Sequence, residues 1–324
     1  MGEKVANRQE IMLEEIASGL SRPQKSIPSK YFYDERGSEL FEQITRLEEY
    51  YPTRTEIGIL RDHMGEIAGE IASPADGSAV ALLELGSGSS KKTRLLLDHL
   101  DDLAAYIPVD ISEEYLLNVG DELKREYPEI DIKPVIADYT EPFELPRIEN
   151  GTSVVRWIAY YPGSTIGNFV PEQAKRFLEM IAETIGPSGG LLIGVDLKKD
   201  RDRLERAYND AEGVTARFNK NLLRRINREI GADFRIDQFE HKAFYNEAEG
   251  RIEMHLVSRE PQSVHLDGET FHLKEGESIH TENSYKYSLD EFERLVSGTY
   301  EVENVWTDEE QLFSVQYCTV KGEE

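Results

Sequence analysis

The segment Ala79-Val80-Ala81-Leu82-Leu83-Glu84-Leu85-Gly86-Ser87-Gly88-Ser89-Ser90-Lys91-Lys92-Thr93-Arg94 constrains this chain more than any other. An apolar run of strand length ends in an acidic residue, crosses two glycines and opens an amphipathic helix, Thr93 to Leu100. Glycines let a backbone turn sharply and approach a ligand where a Cβ would collide. The helix start behind them offers unpaired N–H groups. The segment predicts a strand–loop–helix cofactor crevice in a doubly wound α/β sheet.

Three loop types compete for it. The dinucleotide fingerprint G-x-G-x-x-G needs a third small residue for close helix–strand packing, and that position is Lys91. The phosphate-cradling G-x-x-x-x-G-K-[ST] fits at Gly86, Lys92 and Thr93, but its second glycine is again Lys91. The E/D-x-G-x-G loop of class I S-adenosylmethionine-dependent methyltransferases is met in full by Glu84, Gly86 and Gly88.

The next two strands separate them. A second apolar strand, Ala105-Tyr106-Ile107-Pro108-Val109, ends in Asp110, where a carboxylate can accept both ribose hydroxyls of an adenosine. A third, Ile132 to Ala137, ends in Asp138-Tyr139, placed for an adenine amino group and ring face. Each Asp alone reads equally as a helix cap or turn residue. Three acidic strand ends in succession favour the cofactor.

At 324 residues the chain exceeds one typical domain, so two lobes or an enlarged α/β unit are expected. The net charge of −26 argues against nucleic acid, which needs a basic footprint, and fits a solvated acidic surface. No window approaches a membrane span, and the charged start, Met1 to Glu10, does not resemble a signal peptide. The single cysteine, Cys318, excludes an internal disulfide and suits a reducing cytoplasm. The seven histidines show no metal-ligand spacing, so no metal is expected, and a monomer is.

Along the chain, 8–20 reads as a short helix, another starts from Gly37, and Thr53 to Ala72 forms a third. Ser73 to Ser78 is a polar linker into the first strand. Strands and helices then alternate to residue 196: strand Val154–Tyr160, helix 171–185 and strand Leu191–Asp196, a succession that predicts a parallel sheet. Helices Arg201–Glu212 and Val214–Ile230 follow, the second ending at the C-cap Gly231. Short runs, Phe239–Asn246, Arg251–Arg259, Val264–Leu266 and Thr270–Leu273, read as an antiparallel meander. Helix 289–297 and strands Tyr300–Trp306 and Phe313–Val320 return to the sheet, the last two as a hairpin edge.

A sulfonium methyl donor is already activated, so positioning of the acceptor supplies most of the catalysis. The turn Pro162-Gly163-Ser164-Thr165-Ile166-Gly167-Asn168 follows the fourth strand, and Asn168 can donate to a carboxylate without adding charge. As a turn or cap residue it would be equally ordinary. Tyr31-Phe32-Tyr33-Asp34, Glu49-Tyr50-Tyr51-Pro52-Thr53-Arg54-Thr55-Glu56, Glu84-Leu85-Gly86-Ser87-Gly88, Gly163-Ser164-Thr165-Ile166-Gly167-Asn168 and Arg206-Ala207-Tyr208-Asn209-Asp210 together resemble the L-histidine Nα-methyltransferases of ergothioneine biosynthesis. The resemblance runs over nearly the whole chain, with the motifs in the family's order.

The resemblance implies a class I methyltransferase (Rossmann-like) domain at 58–196 and 287–324, and a second α+β substrate-binding domain made of 1–57 and the insertion 197–286. It implies S-adenosylmethionine as cofactor and stepwise trimethylation of the histidine α-amine to hercynine. On matching positions, Gly86, Ser87, Lys92, Asp110, Asp138 and Tyr139 would hold the cofactor. Gly163, Asn168 and Tyr208 would meet the substrate, the last two at its carboxylate, with Tyr33 and Tyr50 flanking amine and imidazole. Glu282 and Ser284 would hydrogen-bond the imidazole, and Tyr33 and Asn168 would position the reacting amine. Two places depart from the actinobacterial pattern: Tyr161-Pro162 stands before Gly163, and Asn283 lies between the imidazole contacts.

An anionic Glu282 favours an N–H-bearing, partly cationic ring, so it selects imidazole over a phenyl or indole side chain. No general base is evident, so the rate is expected to rise with pH as the free amine grows. Another amino acid, such as tryptophan or a modified histidine, is the alternative acceptor. From other classes, a P-loop-like ATPase would depend on Lys92 and Thr93, and a silent binding module would keep the pocket without the chemistry.

Overall fold

The structure, a computed structural model, describes residues 2–71, 79–88, 91–100, 103–148 and 154–322. The expected linker at 73–78, and Ser89 and Ser90 of the glycine loop, lie outside the described residues. The chain divides into two compact units, Pro52–Lys198 with Tyr285–Glu324, and Met1–Tyr51 with Lys199–Ser284.

The first unit is built on an eight-stranded sheet. Seven of its strands lie in the order Tyr300–Thr307, Phe313–Val320, Gly190–Asp196, Val154–Tyr161, Ala79–Leu85, Leu103–Asp110, Asp131–Ile132, and the eighth, Val135–Ile136, also pairs with Leu103–Asp110. Every position of Ala79–Leu85 is buried, as a strand covered on both faces requires. Because side chains alternate across a strand, its residues feed two cores. Ala81, Leu83 and Leu85 pack with Phe177, Leu178 and Ile181 of helix Pro171–Ile185 and Phe292 of helix Leu289–Val296. Val80 and Leu82 pack with Leu60, Met64 and Ile67 of helix Tyr51–Ile71, and with Leu96 and Leu123. Ala79–Leu85 pairs in parallel with Leu103–Asp110 on one side and Val154–Tyr161 on the other, so the strand order reverses there. Open α/β sheets hold their ligands beyond the carboxyl ends at such a point. Phe313–Val320 runs antiparallel to both neighbours, the hairpin edge expected from its sequence.

The third strand departs from expectation. In place of one run from Ile132 to Ala137, Asp131–Ile132 and Val135–Ile136 each pair separately with Leu103–Asp110. Lys133 and Pro134 interrupt it, and a proline has no N–H to give a ladder.

The second unit carries a four-stranded sheet ordered Lys25–Ser26, Ser278–Tyr285, Arg251–Ser258, Phe239–Asn246. The last two form the expected antiparallel hairpin. Beyond them the chain does not continue as a simple meander. Gln262–Leu266 and Glu269–Leu273 form a detached hairpin whose turn residues, Asp267 and Gly268, both have positive φ. Ser278–Tyr285 enters the sheet and pairs in parallel with Lys25–Ser26, more than 250 residues away. Helix Val214–Ile230 has its expected bounds, buries Val214, Phe218, Leu222 and Ile226, and ends at left-handed Gly231.

The preceding helix stops at Tyr208, short of the expected Glu212. Asn209 turns its amide to the Glu205 and Ala243 carbonyls, and Asp210 accepts from the N–H groups of Val214 and Thr215. Side chains that bond the backbone locally compete with helix continuation. No helix among the described residues is long and apolar enough to cross a membrane.

Candidate active site

Gly86 follows strand Ala79–Leu85 at φ +76°, a left-handed conformation that suits glycine, and donates its N–H to the Val109 carbonyl at 2.9 Å. A Cβ there would stand 3.4 Å from the Tyr139 ring and hydroxyl, so this aromatic lies against the loop. Tyr139 in turn meets Tyr161 and Phe177 edge-on at 5.9 and 6.1 Å. Burial, reinforced by the Asp110 charge, pushes its phenol pKa up and keeps it neutral.

Glu84, the acid of the loop motif, is 3% exposed and serves the loop from beneath. It accepts the Thr93 hydroxyl at 2.7 Å and the Tyr106 hydroxyl, joining its strand to the next helix and the neighbouring strand. Burial raises its pKa against the pull of those bonds. Ser87 is buried with its hydroxyl 3.3 Å from that of Tyr106. Because the Thr93 hydroxyl is committed to Glu84 in the core, the magnesium ligand of a phosphate-binding loop is missing. The ATPase alternative loses its chemistry.

Asp110 ends strand Leu103–Asp110 and accepts from the Ser112 N–H at 2.8 Å. Asp138 accepts from the Thr140 N–H at 3.0 Å and its hydroxyl at 2.5 Å. Lys92 opens the helix after the loop and ion-pairs with buried Glu56 at 2.5 Å. After Val154–Tyr161, Gly163 and Ser164 both take positive φ, 79° and 57°, before the short turn Thr165–Asn168. The Asp196 N–H donates to Ser164 Oγ at 2.9 Å. The half-buried Asn168 carboxamide makes no hydrogen bond among the described residues.

A glycine cradle with an aromatic against it, and carboxylates at the ends of the next two strand positions, fits an adenosyl group. The acids match hydroxyl and amino donors, and the ring a base face.

In the second unit, Tyr33 meets Phe41 and Phe218 edge-on at 5.7 and 5.8 Å. Phe41 meets Tyr50 at 6.2 Å, and Tyr50 meets Tyr208 at 6.3 Å. Tyr208 donates its hydroxyl to Ser284 Oγ at 2.8 Å. Four of the residues singled out in the sequence thus form one string, joined through Phe41. Glu282, half-buried, accepts at its carbonyl from His280 Nε2 at 2.9 Å. Asp34 caps helix Glu35–Ile44 and also accepts from Asn221 at 2.7 Å and Arg228 at 2.6 Å.

Sequence spacing placed Phe41 and Phe218 on apolar helix faces without a part in the site, and did not bring out the cluster of buried Glu253 and His255 with half-buried His280, whose ligand-type atoms lie within 4.8 Å of one another. His255 stacks on His280 at 4.7 Å and bonds Glu253 at 3.0 Å, and Arg251 pairs with Glu253 at 2.7 Å. Burial would raise the Glu253 pKa, but His255, Asn246 and Arg251 together bring it down to about 2. The alternation His255/Glu253 on one strand is the only sequence signal for it.

A doubly wound sheet with this loop at its reversal point is that of an S-adenosylmethionine-dependent methyltransferase. The family of histidine-specific, SAM-dependent methyltransferases matches residues 12–320. The chain is 46% identical over 284 residues to a histidine N-alpha-methyltransferase of Mycolicibacterium smegmatis, covering 86% of this chain and 85% of that one. It is 43% identical over 302 residues to a histidine N-alpha-methyltransferase of Mycobacterium tuberculosis, covering 91% and 90%. Ergothioneine biosynthesis protein 1 of Neurospora crassa is 34% identical over 300 residues, which cover 89% of this chain and 33% of that protein. The chain belongs to the histidine-specific, S-adenosylmethionine-dependent methyltransferase family.

Proposed function

We propose that the protein methylates the α-amine of L-histidine three times, giving hercynine for ergothioneine biosynthesis. The family match over residues 12–320 carries this reading. In it, Gly86, Ser87 and Lys92 receive the cofactor's amino-acid end, Asp110 the ribose hydroxyls, and Asp138 with Tyr139 the adenine. The bound cofactor supplies an electrophilic methyl group.

The chain's own residues supply geometry. Asn168 and Tyr208 bind the substrate carboxylate, with Gly163 opening the turn that carries Asn168. Tyr33 and Tyr50 flank the amine and imidazole, Tyr33 and Asn168 position the reacting amine, and Glu282 and Ser284 take the imidazole. A serine hydroxyl both donates and accepts, while a carboxylate only accepts, so the pair suits a ring with one N–H and one further nitrogen. The 2.8 Å bond between Tyr208 and Ser284 supports a shared task for carboxylate and imidazole contacts. The ammonium must lose a proton before attack, so the rate should rise with pH through the amine's titration. The single, buried Cys318 supports a cytoplasmic location.

The test is mass spectrometry of a panel of free amino acids incubated with enzyme and S-adenosylmethionine. Histidine should gain up to three successive CH₂ increments. Preferential methylation of tryptophan would move the protein elsewhere in its family, and no product from any amino acid would overturn the reading.

A further inference from the structure

The buried carboxylate of Glu56 has no part in the roles above. It sits on helix Tyr51–Ile71, 1% exposed, and takes bonds from two directions. Lys92 Nζ reaches Oε2 at 2.5 Å, and the Gly163 N–H meets Oε1 at 2.9 Å and Oε2 at 3.0 Å. Lys92 stands just after the loop that follows Ala79–Leu85, and Gly163 stands in the turn that follows Val154–Tyr161. These are the two strands at which the sheet order reverses. One carboxylate therefore ties together the two loops that frame the ligand end of the sheet.

The fold makes room for this contact. At Gly194, in strand Gly190–Asp196, a Cβ would stand 2.2 Å from Glu56 Oε1. Gly163 and Ser164 are consecutive left-handed residues, a conformation that needs support from outside the turn. Glu56 bonds the first, and Ser164 Oγ takes the Asp196 N–H beside the second. A buried ion pair alone is a weak source of stability, because desolvation offsets its Coulomb gain. Here the anion also satisfies a backbone N–H that no strand partner takes.

We infer that Glu56 is a positioning residue, fixing Lys92 on the cofactor side and the Gly163–Asn168 turn on the substrate side relative to each other. The inference rests on the proposed function. It deepens that reading by adding a residue that reaches both ligands through others.

Two substitutions separate its two bonds. In Glu56→Gln the amide keeps a carbonyl oxygen for Gly163 but turns an NH₂ toward the Lys92 ammonium. Glu56→Ala removes both. Calorimetry with S-adenosylhomocysteine and initial rates against histidine are measured for the wild type, both variants, Lys92→Met and the Glu56→Gln/Lys92→Met double variant. Glu56→Gln should weaken S-adenosylhomocysteine about fivefold when Lys92 is present, and less than about twofold when it is Met. Its KM for histidine should stay within about twofold of wild type, whereas Glu56→Ala should raise that KM about tenfold. Equal histidine KM values for the Gln and Ala variants, or a Gln effect on S-adenosylhomocysteine that is absent, reversed or independent of Lys92, would reduce Glu56 to packing. Failure of the wild type itself to bind S-adenosylhomocysteine would instead bring down the proposed function, and the inference with it.

Discussion

The two units place their candidate ligand residues by different means. In the unit Pro52–Lys198 with Tyr285–Glu324, the two carboxylates Asp110 and Asp138 follow successive strands, and near neighbours in sequence hold them, whereas Lys92 and Gly163 share the more remote Glu56. Asp110 is bonded by Ser112, and Asp138 by Thr140. In the unit Met1–Tyr51 with Lys199–Ser284, the contacts join remote segments. Tyr208 and Ser284 are 76 residues apart, Asp34 and Asn221 187. A repeated βα unit delivers each loop to the same edge of the sheet, so its ligand positions follow from local order. The other set exists only once distant pieces have folded together.

The largest expected effect concerns the first unit's clearest exception. Lys286 and Asp196 are both 1% exposed and pair at 2.7 Å across 90 positions. Lys286→Met removes the ammonium that balances a buried carboxylate and should cost about 3–5 kcal/mol in urea unfolding. A cost near zero would mean that even this remote pair is dispensable and would widen the contrast between the units.

Next comes Asp110→Ala, which should weaken S-adenosylhomocysteine about 100-fold by calorimetry, from the loss of charge-assisted bonds. Glu282→Ala should lower kcat/KM for histidine about 30-fold and change that for tryptophan less than about twofold. Equal losses for both would remove the imidazole role. Tyr208→Phe and Ser284→Ala should each cost about 1 kcal/mol in stability. Their double variant should cost less than the sum, because the two residues share one bond. Strict additivity would contradict the long-range assembly.

The smallest effect is a pH dependence. Burial lowers the pKa of both His255 and His280, and for each the Glu253 charge opposes it. Lys242 and Arg251 add to the lowering at His255, and Arg251 and His255 do so at His280. The unfolded chain therefore takes up protons on these rings below about pH 6.5 while the folded chain does not. Stability should be full above that pH and fall as pH drops from it toward the lower folded values. A loss of about 2 °C in Tm between pH 7 and 5.5, blunted in His280→Gln, is expected. An unchanged slope in the variant would exclude His280 as its source.

Much of the first unit was legible because its signals are local. The buried run Ala79–Leu85, its glycines, helix Pro171–Ile185 and the Phe313–Val320 hairpin follow from periodicity and turn chemistry. The interruption at Pro134 was legible in principle, since proline in a strand pattern demotes it. Strand Ser278–Tyr285 was not, because its polar residues become a strand only between Arg251–Ser258 and Lys25–Ser26, the latter far away in sequence. Glu56 was equally hidden. A glutamate on a long helix ordinarily faces water, and only the absence of a side chain at Gly194 admits it to the interior. The tyrosines carried the opposite ambiguity, each reading alone as a core or rim aromatic until the string through Phe41 joined them.

The account's central claim is the identity of the acceptor atom. Histidine incubated with S-adenosylmethionine carrying an isotopically labelled methyl group, followed by NMR of the product, locates the transferred carbon. The account predicts three equivalent labelled methyls on the α-nitrogen, and label on an imidazole nitrogen, or none on histidine, would contradict it.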